Sequence, residues 1–172
     1  MKSLYPRIVS AQYLLWKIGL KYVKAFLWER TVDDDTTRFE TQLPVDIRLA
    51  SIQSFKRLPL FKDEAIRRLN EGDLGFIAAW NGVIAGYLWV SFKRKVYVPE
   101  FEREMSLEDG DVYLYDIFVF PDFRGKGLMK KMLEEALHYL KLRNAIKANA
   151  ITLTTNKAAQ KAFRVLGFRT VR

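Results

Sequence analysis

The chain has no cysteine and only one histidine in 172 residues. The first absence removes a disulfide framework, a thiol nucleophile and every thiolate metal site. The second leaves no imidazole cluster for zinc or iron, whose sites gather several such ligands, so no metal is expected. The lone His138 shares the outer face of an expected helix with Lys131, Glu134 and Glu135. It suits a partner such as Glu134 or solvent better than a Ser-His-Asp arrangement. Internal repeats and low-complexity tracts are missing as well.

A clean membrane span is also lacking. The stretch from Ile8 to Trp28 is mostly apolar and long enough to cross a bilayer, but Lys17, Lys21 and Lys24 line one stripe of a helix. Each lysine would cost about 2.5 to 3.5 kcal/mol at the bilayer centre. No small-residue cleavage site follows, so a secretory signal is not expected either, and the location expected is cytoplasmic. Residues 1–32 are therefore expected to form an amphipathic helical extension. It either lies in a membrane interface with Trp16 and Trp28 as anchors, making the protein membrane-peripheral, or packs on the domain with its lysines in water.

What is present is the material for one core: 49% hydrophobic and 14% aromatic residues with 28% charged. The net charge of +9 is unevenly spread, at +5 over residues 1–30, −5 over residues 31–120 and +9 over residues 121–172. A uniform nucleic-acid coat does not fit that division, and no nucleic-acid motif appears. Asp33 to Thr37 is a polar break before a domain expected over residues 43–172.

Within that domain Val45 to Leu49 alternates as a strand, and Ser51 to Leu58 and Lys62 to Leu69 suggest short helices separated by Pro59. Asn81-Gly82 between two apolar runs, Leu74 to Trp80 and Val83 to Phe92, marks a hairpin, because that pair supplies both positive-φ residues of a tight turn. Pro99 to Asp111 suggests an acidic loop. Val112 to Phe120 is apolar on both faces, as in a buried strand. Leu128 to Leu142 has helical periodicity. Ile151 to Leu153 suggests another strand, and Asn156 to Leu166 a last helix closed by Gly167.

The informative segment joins the buried strand to the helix, as Tyr113-Leu-Tyr-Asp-Ile-Phe-Val-Phe-Pro-Asp-Phe-Arg-Gly-Lys-Gly-Leu-Met. Gly125 and Gly127 at a helix N-terminus let the backbone approach an anion closely, where free amides and the helix dipole favour negative charge. A tight strand-to-helix turn alone would also use them. Neither the P-loop spacing nor the three-glycine dinucleotide fingerprint is present.

These residues resemble the GNAT superfamily of acyl-CoA-dependent N-acetyltransferases. The shared features are Val119 at the end of a strand, Arg124 five residues on, Gly127, and the stretch Asn156-Lys-Ala-Ala-Gln-Lys-Ala-Phe-Arg-Val-Leu-Gly-Phe168. The resemblance implies an α/β (α+β) fold, with a mixed, mostly antiparallel central sheet flanked by helices and here an added N-terminal helix. It also implies transfer of an acetyl group from acetyl-CoA to an amine by direct attack in a ternary complex, and it allows a homodimer. The Ile117 amide would face the thioester oxygen and Val119 the pantetheine arm. Arg124, Gly125, Lys126, Gly127, Leu128 and Met129 would hold the pyrophosphate, and Asn156 and Phe163 would contact the cofactor. Asp116 is the expected base or acceptor anchor.

Three departures stand beside that likeness. Met129 replaces a small residue. Phe163 replaces the tyrosine that protonates the leaving thiolate in many members, so either the thiolate leaves unassisted or through water, or a nearby tyrosine such as Tyr115 serves, or the fold is a catalytically silent CoA-binding or interaction module. The chain ends at Arg172, within what should be the sixth strand, so the slot of a seventh is expected to be empty, shared with a partner, or filled by Phe26 to Val32.

Overall fold

The computed structural model describes residues 24–33, 39–57, 59–99 and 101–171. Within them the strands are β1 (Ala25–Thr31), β2 (Asp46–Leu49), β3 (Leu74–Trp80), β4 (Val83–Ser91), β5 (Lys95–Val98), β6 (Arg103–Ser106), β7 (Asp111–Val119), β8 (Lys147–Leu153) and β9 (Arg169–Thr170). The helices are α1 (Pro59–Asn70), α2 (Leu128–Leu142) and α3 (Lys157–Val165). Seven strands form one sheet in the order β2-β3-β4-β7-β8-β1-β9, and β5 and β6 pair separately. Every neighbouring pair is antiparallel except β7 and β8. The mixed, mostly antiparallel sheet flanked by helices is the fold class expected.

Local chemistry explains the turns. Asn81 (φ 48°) and Gly82 (φ 75°) close the β3-β4 hairpin in the left-handed region. Pro59 stands at the junction of the two expected helices and opens α1, using the first-turn position where a missing N–H costs nothing. The Ser51 to Leu58 segment makes a 3-10 turn over Ile52–Arg57. Helix α3 ends on Gly167 (φ 78°), where the Phe168 amide bonds Phe163 O and the Gly167 amide bonds Arg164 O, both at 3.0 Å.

Alternation in β7 sends Val112 and Leu114 into the main core with Ala148 and Ala150, against Met132, Leu133, Ala136 and Leu137 of α2. Tyr113 and Tyr115 go to the opposite face. That face carries the smaller clusters, Phe55, Ile77, Tyr87 and Trp89 under α1, and Val96 and Leu107 under the β5-β6 hairpin.

Two expectations need correction. Residues 25–31 are a strand and not part of an amphipathic helix, so the extension does not run to residue 32; residues 1–23 lie outside the described residues. β1 lies between β8 and β9, pairing from Ala25↔Leu153 to Thr31↔Lys147. It therefore fills the slot considered for a seventh strand. Trp28, considered as a membrane anchor, is 1% exposed. Its Nε1 donates to Thr152 Oγ1 at 2.8 Å and its ring stacks on Phe163 at 5.8 Å. Strand partners on both edges and the burial of Trp28 outweigh helical periodicity here. No helix among the described residues is long and apolar enough to cross a membrane.

The second correction concerns the expected acidic loop, much of which is the β5-β6 hairpin, with Tyr97 opposite Glu104. Val96 and Val98 alternate inward and anchor it, a short period-two signal easily hidden by the acidic residues that follow. Glu100 lies outside the described residues.

Candidate functional site

The central sheet splits. β7 and β8 pair in parallel only from Asp111↔Lys147 to Leu114↔Ala150. Beyond that point β7 stays on β4 as far as Val119↔Gly86, while β8 stays on β1 as far as Leu153↔Ala25. A wedge opens between them, bounded by Tyr115 to Val119 on one side and Ile151 to Leu153 on the other.

The wedge begins at a bulge. Tyr115 pairs with Trp89 and Phe118 with Tyr87, so Asp116 and Ile117 stand opposite the single residue Leu88. Asp116 takes φ 45°, a left-handed conformation in which Asp is several-fold commoner than most side chains. The bulge turns the Ile117 backbone out of the regular ladder. The expected residues Tyr115, Asp116, Ile117 and Val119 thus come together at one feature.

On the Tyr115 face a cleft of about 640 Å³ is lined by a chain of charges. Arg68 Nη1 donates to Asp116 Oδ2 at 2.6 Å and its Nε to Glu64 at 2.8 Å. Arg67 bonds Glu64 and Glu71, and Lys93 joins Glu71 at 2.6 Å. Asp73, buried at 5% exposure, accepts from Ser91 Oγ at 2.8 Å and from the Tyr115 hydroxyl at 2.5 Å. Burial, and then that bond to Asp73, push the Tyr115 phenol well above the ordinary tyrosine range. Burial, helped by the Asp116 charge, pushes Tyr87 up to about 12. The Arg67 hydrogen bond, joined by Arg68, holds Glu64 down at about 2. Arg68 is raised despite its burial, because Asp116 and Glu64 bind its charged form.

The chemistry follows from those partners. Tyr115 is a reluctant proton donor, its hydroxyl already given to a buried carboxylate. The Asp116 carboxylate is occupied by a guanidinium, which favours an electrostatic or positioning part over proton abstraction.

β7 then leads into the glycine turn. After a 3-10 turn at Pro121–Phe123, Gly125 (φ 77°) and Gly127 (φ 82°) carry the chain into α2, with Gly127 as N-cap and no side chain capping the helix. The first intrahelical bond is Lys131 N to Gly127 O at 3.2 Å, so the amides of Leu128, Met129 and Lys130 are the ones a helix leaves without an intrahelical acceptor. A Cβ at Gly125 would meet nothing within 4 Å. Met129 is half-buried and packs against the core. These features fit a pyrophosphate. Arg124 folds back instead, its Nε donating to Val119 O at 3.0 Å, and Lys126 Nζ bonds Asp122 O at 2.6 Å.

Two expected site residues stand elsewhere. Phe163 is 1% exposed between Trp28 and Phe168. Its ring lies in the core, at a position where the resemblance implies a cofactor contact. Asn156 caps α3, its Oδ1 accepting from the Ala159 amide at 3.1 Å. Sequence reasoning missed Arg68 and Asp73. Arg68 shows only as one of two basic residues near a helix end, and Asp73 only as the acid after Gly72. It also missed that residues 39–42 run beside α2 and the glycine turn, with the Phe39 amide on Glu134 Oε2 at 2.7 Å and the Gln42 amide on Lys126 O of the turn at 3.3 Å.

The sheet is thus parted beside a bulge, and the parted strand runs into a glycine turn and a helix with no side-chain cap. The sequence profile of the acetyltransferase (GNAT) family matches residues 30–168, and the chain belongs to that family. Over 94 residues it is 27% identical to an uncharacterized N-acetyltransferase, ycf52, of Gracilaria tenuistipitata var. liui, a stretch covering 55% of this chain and 50% of the relative. The chain thus spans about half the length of that curated relative. Among solved structures it is similar to the aminoglycoside N-acetyltransferase AAC(6')-Iy in complex with CoA, at 23% identity and TM-score 0.57, covering 74% of this chain and 94% of that one. It is also similar to a predicted acetyltransferase with acetyl-CoA from Clostridium acetobutylicum, at 17% identity and TM-score 0.52, covering 74% and 91%. These two likenesses are of fold.

Proposed function

We propose that the protein transfers an acetyl group from acetyl-CoA to an amine. The observation that carries the reading is the parting of β7 from β8 beyond Leu114 and Ala150, directly upstream of the uncapped glycine turn. The acyl-pantetheine arm lies in the wedge and the pyrophosphate on the amides at Gly125 to Met129. The amine nitrogen attacks the thioester carbonyl, the carbon–sulfur bond breaks, and the acetyl group ends on nitrogen. The proton lost by the amine ends on the CoA sulfur by way of solvent. The Ile117 amide stabilises the oxygen on which charge develops. The amine enters from the cleft on the Tyr115 face, where Asp73, Glu104 and Asp116 lie.

Calorimetric titration with acetyl-CoA tests the reading, and no heat of binding at roughly millimolar ligand overturns it, since such affinity is already weak. A second reading is supported by three placements: Phe163 is buried, the Tyr115 hydroxyl is held by Asp73, and Asp116 is paired with Arg68. It makes the chain a CoA-binding module without turnover. Thiol release across a panel of small amines, polyamines and peptide N-termini separates the two, because turnover with any acceptor removes the second.

A further inference from the structure

The bulge that turns Ile117 outward rests on a residue in an uncommon conformation. A non-glycine residue at φ 45° persists only where its surroundings hold it. The pairing of β7 does not hold it: the ladder to β4 shifts register between Tyr87 and Trp89, and β8 contributes no partner after Leu114. A side chain from outside the sheet reaches the bulged residue. Arg68 of α1 donates Nη1 to Asp116 Oδ2 at 2.6 Å and is backed by Glu64 at 2.8 Å. Its guanidinium carbon lies 5.2 Å from the ring centre of Trp89 and 5.0 Å from that of Tyr115, the paired residues at one end of the bulge. Its side chain is only 15% exposed.

An ordinary surface ion pair contributes little. This one differs, because a rigid planar cation spans two rings that define the start of the bulge and binds the carboxylate of the residue that makes it. A guanidinium so stacked loses little freedom in forming the bond.

We propose that Arg68 is a positioning residue, holding Asp116 in its left-handed conformation and so keeping the Ile117 amide aimed into the wedge between β7 and β8. The part concerning activity rests on the acetyl-transfer reading; the part concerning the bulge does not.

Arg68→Met tests it, because methionine keeps an apolar stem over Trp89 and Tyr115 and removes the hydrogen bonds. With whichever amine of the panel turns over, kcat should fall about ten-fold, as for a misaligned reacting group. The amine KM and the acetyl-CoA dissociation constant should stay within about two-fold. Exchange of the Tyr115 to Phe118 backbone amides should quicken. Adding Asp116→Gly should slow that exchange again and recover about three-fold in kcat, since glycine takes positive φ without an anchor. A raised amine KM with no recovery by glycine would show Arg68 contacting the acceptor and overturn the proposal. Unchanged exchange in Arg68→Met would overturn it as well. If acetyl-CoA fails to bind, the acetyl-transfer reading falls alone, and amide exchange in the same two variants still decides whether Arg68 holds the bulge.

Discussion

The two halves of β7 have opposite environments within nine residues. From Asp111 to Leu114 the strand is paired with β8, at Tyr113 and Leu114 with β4 as well, and its inward side chains are sealed, with Val112 at 0% and Leu114 at 1% exposure. From Tyr115 to Val119 one edge is open, the other is bulged, and the side chains are half-buried or exposed. The first half spends its hydrogen bonds on the fold. The second leaves backbone groups for something else and is held by side chains from other elements. The wedge has a fixed far side because β1 pairs along all of Lys147 to Leu153, which keeps β8 in place where β7 has parted from it.

If β1 keeps β8 in place, the largest effect comes from unseating β1. Trp28→Ala removes a ring stacked on Phe163 and the bond to Thr152, and should cost about 3 to 5 kcal/mol in urea denaturation, as large aromatic truncations in cores do. A loss below about 1 kcal/mol, the scale of a surface change, would mean that β1 is not what holds the far edge of the wedge.

The halves can then be set against each other directly. Leu114→Ala, in the sealed half, should destabilise by about 2 to 5 kcal/mol, whereas Ile117→Ala, three residues on and partly exposed, should cost less than half of that. Equal losses would erase the contrast. Acetyl-CoA affinity, by contrast, should change more in Ile117→Ala than in Leu114→Ala, because only the second half borders the wedge.

The Tyr115 face sharpens the comparison through pH. Tyr115 and Tyr87 are both held neutral by burial, with Asp73 helping at Tyr115 and Asp116 at Tyr87. Their folded values are raised, so this contribution is intact below the unfolded value near 10. It is lost as pH rises towards the folded values, about 12 for Tyr87. Each tyrosine should take away about 1 kcal/mol between pH 10 and 11 as the unfolded phenol ionises. Urea midpoints across that range should fall less steeply for Tyr115→Phe than for the parent; identical slopes would show that this face is open to water in solution.

Much of this arrangement is legible in the chain, and the remainder fails for definite reasons. The Asn81-Gly82 hairpin, the α2 span and the Gly167 cap follow from local chemistry, which neighbours reinforce. The glycine turn is equally local. β1 is not, because its helical periodicity competes with a pairing to residues more than a hundred positions away. The β5-β6 hairpin is hidden by the acidic residues around it. Arg68 and Asp73 are invisible for the same reason as β1: an arginine on a helix and an acid before a strand acquire their parts only when α1 and β3 bring them to the bulge. The burial of Phe163 likewise involves Trp28, which no short motif contains.

The smallest effect tests whether the open half continues past Val119 into the turn. Gly125 stands at φ 77°, and a methyl group added to its Cα would find no atom within 4 Å, so Gly125→Ala introduces conformational strain without a clash. Strain of that kind costs about 1 kcal/mol, and denaturation should show no more. Were the turn only a connection between β7 and α2, acetyl-CoA binding would be unchanged once the folded fraction is accounted for. As part of the wedge, the turn has to let phosphate oxygens approach its backbone, and a methyl group in that open space stands in their path. Affinity for acetyl-CoA should therefore fall by about ten-fold, a larger change in free energy than the loss of stability. An unaltered affinity would confine the functional half of β7 to the stretch between Tyr115 and Val119.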